Sequence, residues 1–157
     1  MAPRRASATA FLKATNRPGL PARPFAPHHP RCPEGLRIGT VRRPPRGVPK
    51  AEFASRNYYD CWYPELSPEP ETMQWGQQAQ QLHAKGQAAE AAKAWKQFDQ
   101  QFRKQLAAAP ASRTLDLLAA LSRQTDFALG CYCDDEALCH RSILRALLVE
   151  HGAEVHP

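Results

Sequence analysis

The sequence predicts a single small α/β domain, in which a parallel or mixed sheet is flanked by helices, preceded by a disordered N-terminal extension. Short apolar runs bounded by proline and glycine predict strands, and longer segments repeat apolar residues at helical spacing. Strands that alternate with helices favour parallel pairing through crossover connections. A chain of 157 residues has room for one such domain.

Residues 1–33 are predicted to be a disordered leader, and residues 34–157 the domain. The leader holds seven of the 15 prolines, six of the 21 basic residues and none of the 15 acidic ones. Residues 34–157 therefore carry 15 charges of each sign, so the charge of the folded part does not support a nucleic-acid partner. The leader composition also resembles an organelle transit peptide, although we prefer a dispensable extension.

The sequence predicts neither a membrane span nor a secretory signal. The longest apolar run, residues 117–121, is far shorter than the roughly 20 residues that a membrane helix needs. We therefore expect a cytoplasmic protein with free thiols, because reducing compartments disfavour disulfides. The sequence indicates no membrane partner and no particular oligomeric state.

The first half of the domain begins with a strand at residues 36–41, which ends in an arginine- and proline-rich loop at 42–47. An aromatic segment at 57–63 predicts a second extended piece, and a helix follows at 71–85. The next helix, at 91–106, carries an apolar stripe that we assign to the core rather than to base stacking. The stripe consists of Ala91, Trp95, Phe98, Phe102 and Leu106.

In the second half, Ser112 is predicted to cap a third helix that runs to about residue 123. The run 127–133 is apolar throughout, which favours a central strand buried on both faces. A last helix is predicted to start near His140 and to end at Gly152. Residues 154–156 predict a short edge strand.

The chemistry lies in residues 131–142, between this strand and the last helix. In α/β sheets the ligand crevice lies beyond the carboxyl ends of the strands. A helix that starts near His140 offers free amides to an anion, and Arg141, with Ser142 beside it, adds a clamp for phosphate or carboxylate. The same positive field would lower the pKa of Cys139 and favour its thiolate.

The cysteines in this segment allow other interpretations. Cys131 fits packing inside the strand equally well. A zinc site would use Cys131, Cys133, Cys139 and His140, but their spacing is not that of a standard zinc finger, so we expect no tightly bound zinc and no cofactor. A reversible disulfide between Cys133 and Cys139 is a further alternative that depends on their distance.

These motifs resemble the family called domain of unknown function 488 (DUF488), in its YeaO-like branch. The C-terminal resemblance rests on Gly130-Cys131-Tyr132-Cys133, Asp135 and Cys139-His140-Arg141-Ser142. The upstream resemblance rests on Arg42, Pro45-Arg46-Gly47-Val48, Lys50, Asp60, Trp62, Pro68, Trp95, Phe98 and Arg103. The resemblance implies a cytoplasmic bacterial α/β domain and carries no established reaction. The branch often has an acid where this chain has Val41, so any role of that acid is absent or has moved.

We predict an enzyme, or an enzyme-like site, that acts on a nucleotide or a phosphorylated small molecule. Arg42, Arg46 and Arg141 would hold the anionic group, with Cys139 as nucleophile or His140 as general base. The alternatives are a non-catalytic module that binds an anionic ligand or a nucleic-acid end, and a thiol redox or metal-binding protein. If the two strands are parallel and adjacent, the arginine loop and the cysteine segment should open on one edge of the sheet and share a pocket.

Overall fold

The computed structural model describes residues 35–56, 58–133 and 137–155, so the predicted leader lies outside the described residues. Three strands form a parallel sheet in the order β2-β1-β3. The strands are β1 (Leu36–Gly39), β2 (Cys61–Trp62) and β3 (Phe127–Gly130). This sheet, together with the helices that flank it, confirms the predicted fold class.

In the described part of the chain, four helices flank the sheet. They are α1 (Pro70–Ala84), α2 (Ala88–Leu106), α3 (Ala109–Leu121) and α4 (His140–Glu150). Gly86 makes the turn between α1 and α2 with a φ of 75°, a left-handed conformation that glycine adopts without strain. The predicted helices at 71–85, at 91–106 and from His140 are thereby confirmed.

The apolar stripe on α2 is part of the core, as predicted. Phe98, Phe102 and Leu106 are almost fully buried, and the rings of Phe98 and Phe102 stack with their centroids 5.7 Å apart. Trp95 packs against this core from a partly buried position. Burial of side chains of this size stabilises the fold by about 1.5–3 kcal/mol each.

The prediction that β3 is the central strand is wrong. Among the described residues, β1 lies between the other two strands and β3 lies at an edge. Phe127, Ala128 and Leu129 are nevertheless all buried. Successive strand residues point to opposite faces, so both faces of β3 are covered. An apolar run therefore indicates that both faces of a strand are covered. It does not indicate whether the strand is central or lies at an edge of the sheet.

Two predictions about the ends of elements are also wrong. Helix α3 begins before Ser112, with Pro110 in its first turn, where a missing amide hydrogen removes no helical bond. Residues 153–155 form no strand, and residue 156 lies outside the described part. Instead, the Glu154 amide donates a hydrogen bond to Ser122 Oγ at 3.0 Å. Ser122 is buried.

An ion pair between the buried Arg37 and the partly exposed Asp60 side chain joins β1 to the segment that leads into β2. Arg37 Nη2 lies 2.9 Å from Asp60 Oδ1, and Arg37 Nε donates to Asp60 Oδ2 at 3.2 Å. The Arg37 backbone amide donates to the same Oδ2 at 2.9 Å. In the part of the chain that the structure describes, no helix is long and apolar enough to cross a membrane.

Candidate functional site

The carboxyl ends of β1 and β3 lie side by side, because the two strands are adjacent and parallel and Gly39 pairs with Gly130. The loops that follow them therefore open on one edge of the sheet. One cavity of about 900 Å³ is lined by both loops, as the sequence predicts. Its lining includes the arginine loop, which we define as residues 42–46, together with Cys131, Cys133 and His140.

Three thiols meet at the wall of this cavity and form what we call the thiol cluster: Cys131, Cys133 and Cys139. Their sulfur atoms all lie within 4.8 Å of one another. Cys131 Sγ lies 3.0 Å from Cys139 Sγ, and the Cys133 amide donates to Cys131 Sγ at 3.2 Å. Cys131 and Cys133 line the cavity, whereas Cys139 is only 1% exposed.

Cys139 is placed by the start of α4, where it is the N-cap residue. Its sulfur atom accepts a hydrogen bond from Arg141 Nε at 3.3 Å and lies 3.7 Å from His140 Nδ1. A guanidinium group, an imidazole and a helix N-terminus thus surround one sulfur atom. The guanidinium group and the helix N-terminus stabilise a thiolate relative to a thiol, and so does the imidazole once Nδ1 has taken up a proton.

His140 is held by Thr40, the residue after β1. His140 Nε2 lies 2.8 Å from the Thr40 carbonyl oxygen and 2.9 Å from Thr40 Oγ1. A carbonyl oxygen only accepts hydrogen bonds, so Nε2 carries the proton and donates. In the neutral imidazole, Nδ1 is then the proton acceptor, and Nδ1 is the atom that faces Cys139.

The thiol cluster concentrates negative charge on Cys139. Hydrogen bonds from Cys131 and Cys133 hold the pKa of Cys139 well below its usual range, and they outweigh the opposing effect of burial. The pKa of Cys131 is raised by its hydrogen bonds to Cys133 and Cys139 and by burial. For Cys133, the bond to Cys131 lowers the pKa, but the bond to Cys139 and burial prevail and raise it to about 11. These opposite shifts favour the thiolate form at Cys139 and the thiol form at Cys131 and Cys133.

Arg141 and Ser142, the other two predicted residues on α4, face the protein rather than the cavity. Arg141 is 2% exposed, and besides Cys139 it donates through Nη2 to the Cys133 carbonyl at 3.3 Å. Ser142 Oγ donates to the Cys139 carbonyl at 2.9 Å. Neither side chain is among those that line the cavity. Arg141 therefore contacts the reactive sulfur instead of reaching into the cavity.

The arginine loop supplies the positive charge of the cavity. Arg42 donates to the Ser67 and Pro68 carbonyls and pairs with Glu69 at 3.0 Å. Arg43 and Arg46 are exposed and line the cavity. Among the described residues, no acidic side chain lines it. Arg42 is thus engaged with the chain, and the two exposed arginines are better placed to meet a ligand.

Sequence reasoning missed two parts of this site. Thr40 is a polar residue placed directly after an apolar strand, and that position was the signal that could have identified it. The wall contributed by α1 carries Gln74, Gln77 and Gln80, and Gln80 Nε2 donates to the Leu138 carbonyl at 2.7 Å. The sequence did not indicate this wall, because glutamine residues are common on the solvent-exposed face of any helix.

The thiol cluster also has the composition of a metal site. Three sulfur ligands suit zinc or another soft ion. His140, the fourth ligand considered from sequence, is not part of the group whose donor atoms lie together, although its Nδ1 lies 3.7 Å from Cys139 Sγ. The described residues therefore offer three ligands.

The fold and the site together define a class: a small α/β domain with a thiol cluster at the carboxyl edge of a parallel sheet. A family model for DUF488-N3a, described as an active DUF488-N3 subclade, matches residues 25–152. The chain belongs to the DUF488 family, as its motifs predict. Its place in the YeaO-like branch stays a prediction. No curated protein and no solved structure matches the chain.

Proposed function

We propose that this protein is an enzyme in which the Cys139 thiolate attacks a small anionic substrate held in the cavity. His140 accepts or returns the proton through Nδ1, and Arg43 and Arg46 hold the anionic group, with Arg42 beside them. The substrate class is a nucleotide or a phosphorylated small molecule, and the reaction takes place in the cytoplasm, where thiols stay reduced. The description of the matched subclade as active agrees with a catalytic role.

One observation carries this proposal: the surroundings of Cys139 Sγ, which lies 3.3 Å from Arg141 Nε and 3.7 Å from His140 Nδ1. A nucleophile with an adjacent base, itself oriented by a third group, is the arrangement that activates thiols. Thr40 is the orienting group here. Ser142 acts on the backbone of Cys139 and Arg141 on its sulfur, so both are positioning residues in this proposal.

The arginines that line the cavity support the choice of an anionic substrate. Arg43 and Arg46 line the same cavity as Cys131, Cys133 and His140. Guanidinium groups bind phosphate and carboxylate in bidentate fashion. Two of these lining residues contact Cys139, because its sulfur lies 3.0 Å from Cys131 Sγ and 3.7 Å from His140 Nδ1.

Alkylation by two reagents of different charge tests the proposal. Iodoacetate carries a carboxylate and iodoacetamide is neutral. If the cavity attracts anions, Cys139 should react about tenfold faster with iodoacetate, relative to iodoacetamide, than a thiol outside the cavity does. Cys61 is exposed on β2 and serves as the internal reference in the same molecule. Peptide mass spectrometry gives each rate.

The Arg43→Gln, Arg46→Gln double variant should lose this preference at Cys139 and leave Cys61 unchanged. The proposal fails if Cys139 and Cys61 show the same ratio, or if the double variant keeps the preference. Binding of inorganic phosphate and of a nucleoside monophosphate, measured by thermal shift, is expected of an enzyme and of a binding module alike, so it tests the anion site and not the chemistry. The preferential reaction of Cys139 with iodoacetate supports the enzyme, because a binding module needs no reactive thiol at this position.

The 4.8 Å spread of the thiol cluster favours a second candidate function, the binding of zinc by Cys131, Cys133 and Cys139. Elemental analysis of purified, dialysed protein tests it. One zinc per chain that is lost in Cys133→Ser and kept in Cys61→Ser would support this function. Zinc well below one per chain in both variants and in the unmodified protein would reject it.

A further inference from the structure

Two of the three clustered thiols are placed to react with each other. Cys131 Sγ and Cys139 Sγ are 3.0 Å apart, and a disulfide bond is about 2 Å long. The sulfur atoms therefore need to approach by only about 1 Å, a distance that side-chain rotation supplies. The exposed Cys61 on β2 is outside the cluster.

Both cysteines are fixed by rigid elements. Cys131 directly follows β3, whose last residue pairs with Gly39 of the neighbouring strand. Cys139 is the N-cap residue of α4. The approach of the two sulfur atoms is thus a property of the fold, since the strand end and the helix start are held at the same edge of the sheet.

The two thiols also differ in their surroundings. Cys139 Sγ accepts the Arg141 Nε hydrogen bond and faces His140, so it is the thiolate of the pair. Cys131 lines the cavity and its sulfur lies 3.0 Å from Cys139 Sγ, so a solute that enters the cavity comes close to both sulfur atoms of the pair. A thiolate beside a second thiol is the arrangement in which oxidation ends in a disulfide.

We propose that Cys131 and Cys139 form a reversible disulfide when a hydroperoxide oxidises the pair, and that this disulfide switches off the nucleophile. The switching part rests on the function proposed above. The Cys139 thiolate attacks one oxygen of hydrogen peroxide, the O–O bond breaks, and the hydroxide that leaves takes up a proton to become water. The resulting sulfenic acid is attacked by Cys131 sulfur, which forms the S–S bond and releases a second water. Two thiols are oxidised by two electrons, and one peroxide is reduced to two waters. A dithiol reverses the step by exchange.

Peptide mapping tests the pairing on the full chain. The protein is treated with hydrogen peroxide, remaining thiols are blocked with N-ethylmaleimide, and the chain is digested without reduction. Trypsin cleaves after Arg123 and Arg141 and leaves all three clustered cysteines in one peptide. Cleavage at Asp134 or Asp135 then separates Cys139 from the other two, so that a disulfide appears as two linked fragments.

Variants identify the partner of Cys139. Linked fragments should form in the unmodified protein, in Cys133→Ser and in the matched control Cys61→Ser, with the loss of two of the five thiols in the unmodified chain. Cys131→Ser should form none, and dithiothreitol should restore all thiols. Far-ultraviolet circular dichroism checks that each variant folds. Linked fragments in Cys131→Ser, which would show a Cys133 to Cys139 bond, or five unchanged thiols in oxidised unmodified protein, would overturn the proposal.

The two proposals fail in different ways. The disulfide can form in a protein whose Cys139 shows no preference for iodoacetate, and that result would remove the proposed function while the pairing stands. Conversely, a preference for iodoacetate without linked fragments would remove the switch alone. When both hold, peroxide should abolish alkylation of Cys139 and dithiothreitol should restore it fully.

Discussion

Removing the acid of the Arg37–Asp60 ion pair should destabilise the fold by about 2–3 kcal/mol. Asp60→Ala removes three hydrogen bonds to Arg37, of 2.9, 3.2 and 2.9 Å, and leaves the guanidinium without its carboxylate. Breaking a fully buried pair costs about 3–5 kcal/mol, mostly because the remaining charge is unpaired. The Asp60 side chain is 26% exposed and that of Arg37 3%, so water reaches the position of the removed carboxylate and the loss falls to about 2–3 kcal/mol, at and just below the lower end of that range.

A double-mutant cycle with Arg37→Met measures the interaction energy of the ion pair separately from the other effects of each substitution. With both charges gone, the double variant should be more stable than the sum of the single losses predicts, by about 2 kcal/mol, because neither charge is left unpaired. Urea unfolding followed by circular dichroism gives the free energies. Glu52→Ala, which removes the exposed partner of Arg56 at 2.6 Å, is the control and should change stability by less than about 1 kcal/mol. The reasoning is refuted if Asp60→Ala costs no more than the control, or if the two single losses simply add.

Three further substitutions test the packing around the site. Gly39→Ala would place a Cβ 2.3 Å from Tyr59 Cδ1, so the ring must move and stability should fall by about 1–3 kcal/mol; a normal melting temperature would contradict the close approach. Phe102→Ala empties a fully buried position and should cost about 3–5 kcal/mol in urea unfolding, whereas a loss below about 1 kcal/mol would mean that the core is not where we place it. Trp62→Phe removes the bond from the indole Nε1 to the Val41 carbonyl at 2.8 Å and should cost about 1 kcal/mol; an unchanged unfolding midpoint would argue against that bond.

The candidate site was partly predictable because it depends on one topological fact. Once β1 and β3 are parallel neighbours, the loops after them must open on the same edge, and the residues of both loops meet. The direction in which each side chain points was not predictable. Arg141 and Arg42 are both arginines in predicted binding positions, yet one is buried against Cys139 Sγ and the other is engaged by Ser67, Pro68 and Glu69.

The thiol cluster shows that the spacing of cysteines along the chain is an equally limited guide to which residues share a site. Cys131, Cys133 and Cys139 do not have the spacing of a standard zinc finger, and from spacing alone a shared site was not expected. The structure brings their sulfur atoms within 4.8 Å, because the end of β3 and the start of α4 are held together at one edge of the sheet. Spacing rules describe hairpins and short loops, and they do not describe a strand end and a helix start placed by the rest of the fold.

The sequence by itself determined the helices α1, α2 and α4, the strands β1 and β3, the core stripe on α2 and the segment that carries the chemistry. Each of these depends on residues close together along the chain, where periodicity and turn residues act directly. Only the tertiary structure decided the strand order, the role of Thr40 and the contact between Cys131 and Cys139. These depend on contacts between distant residues, whose free energies are set by how whole elements pack and are not encoded in any local pattern.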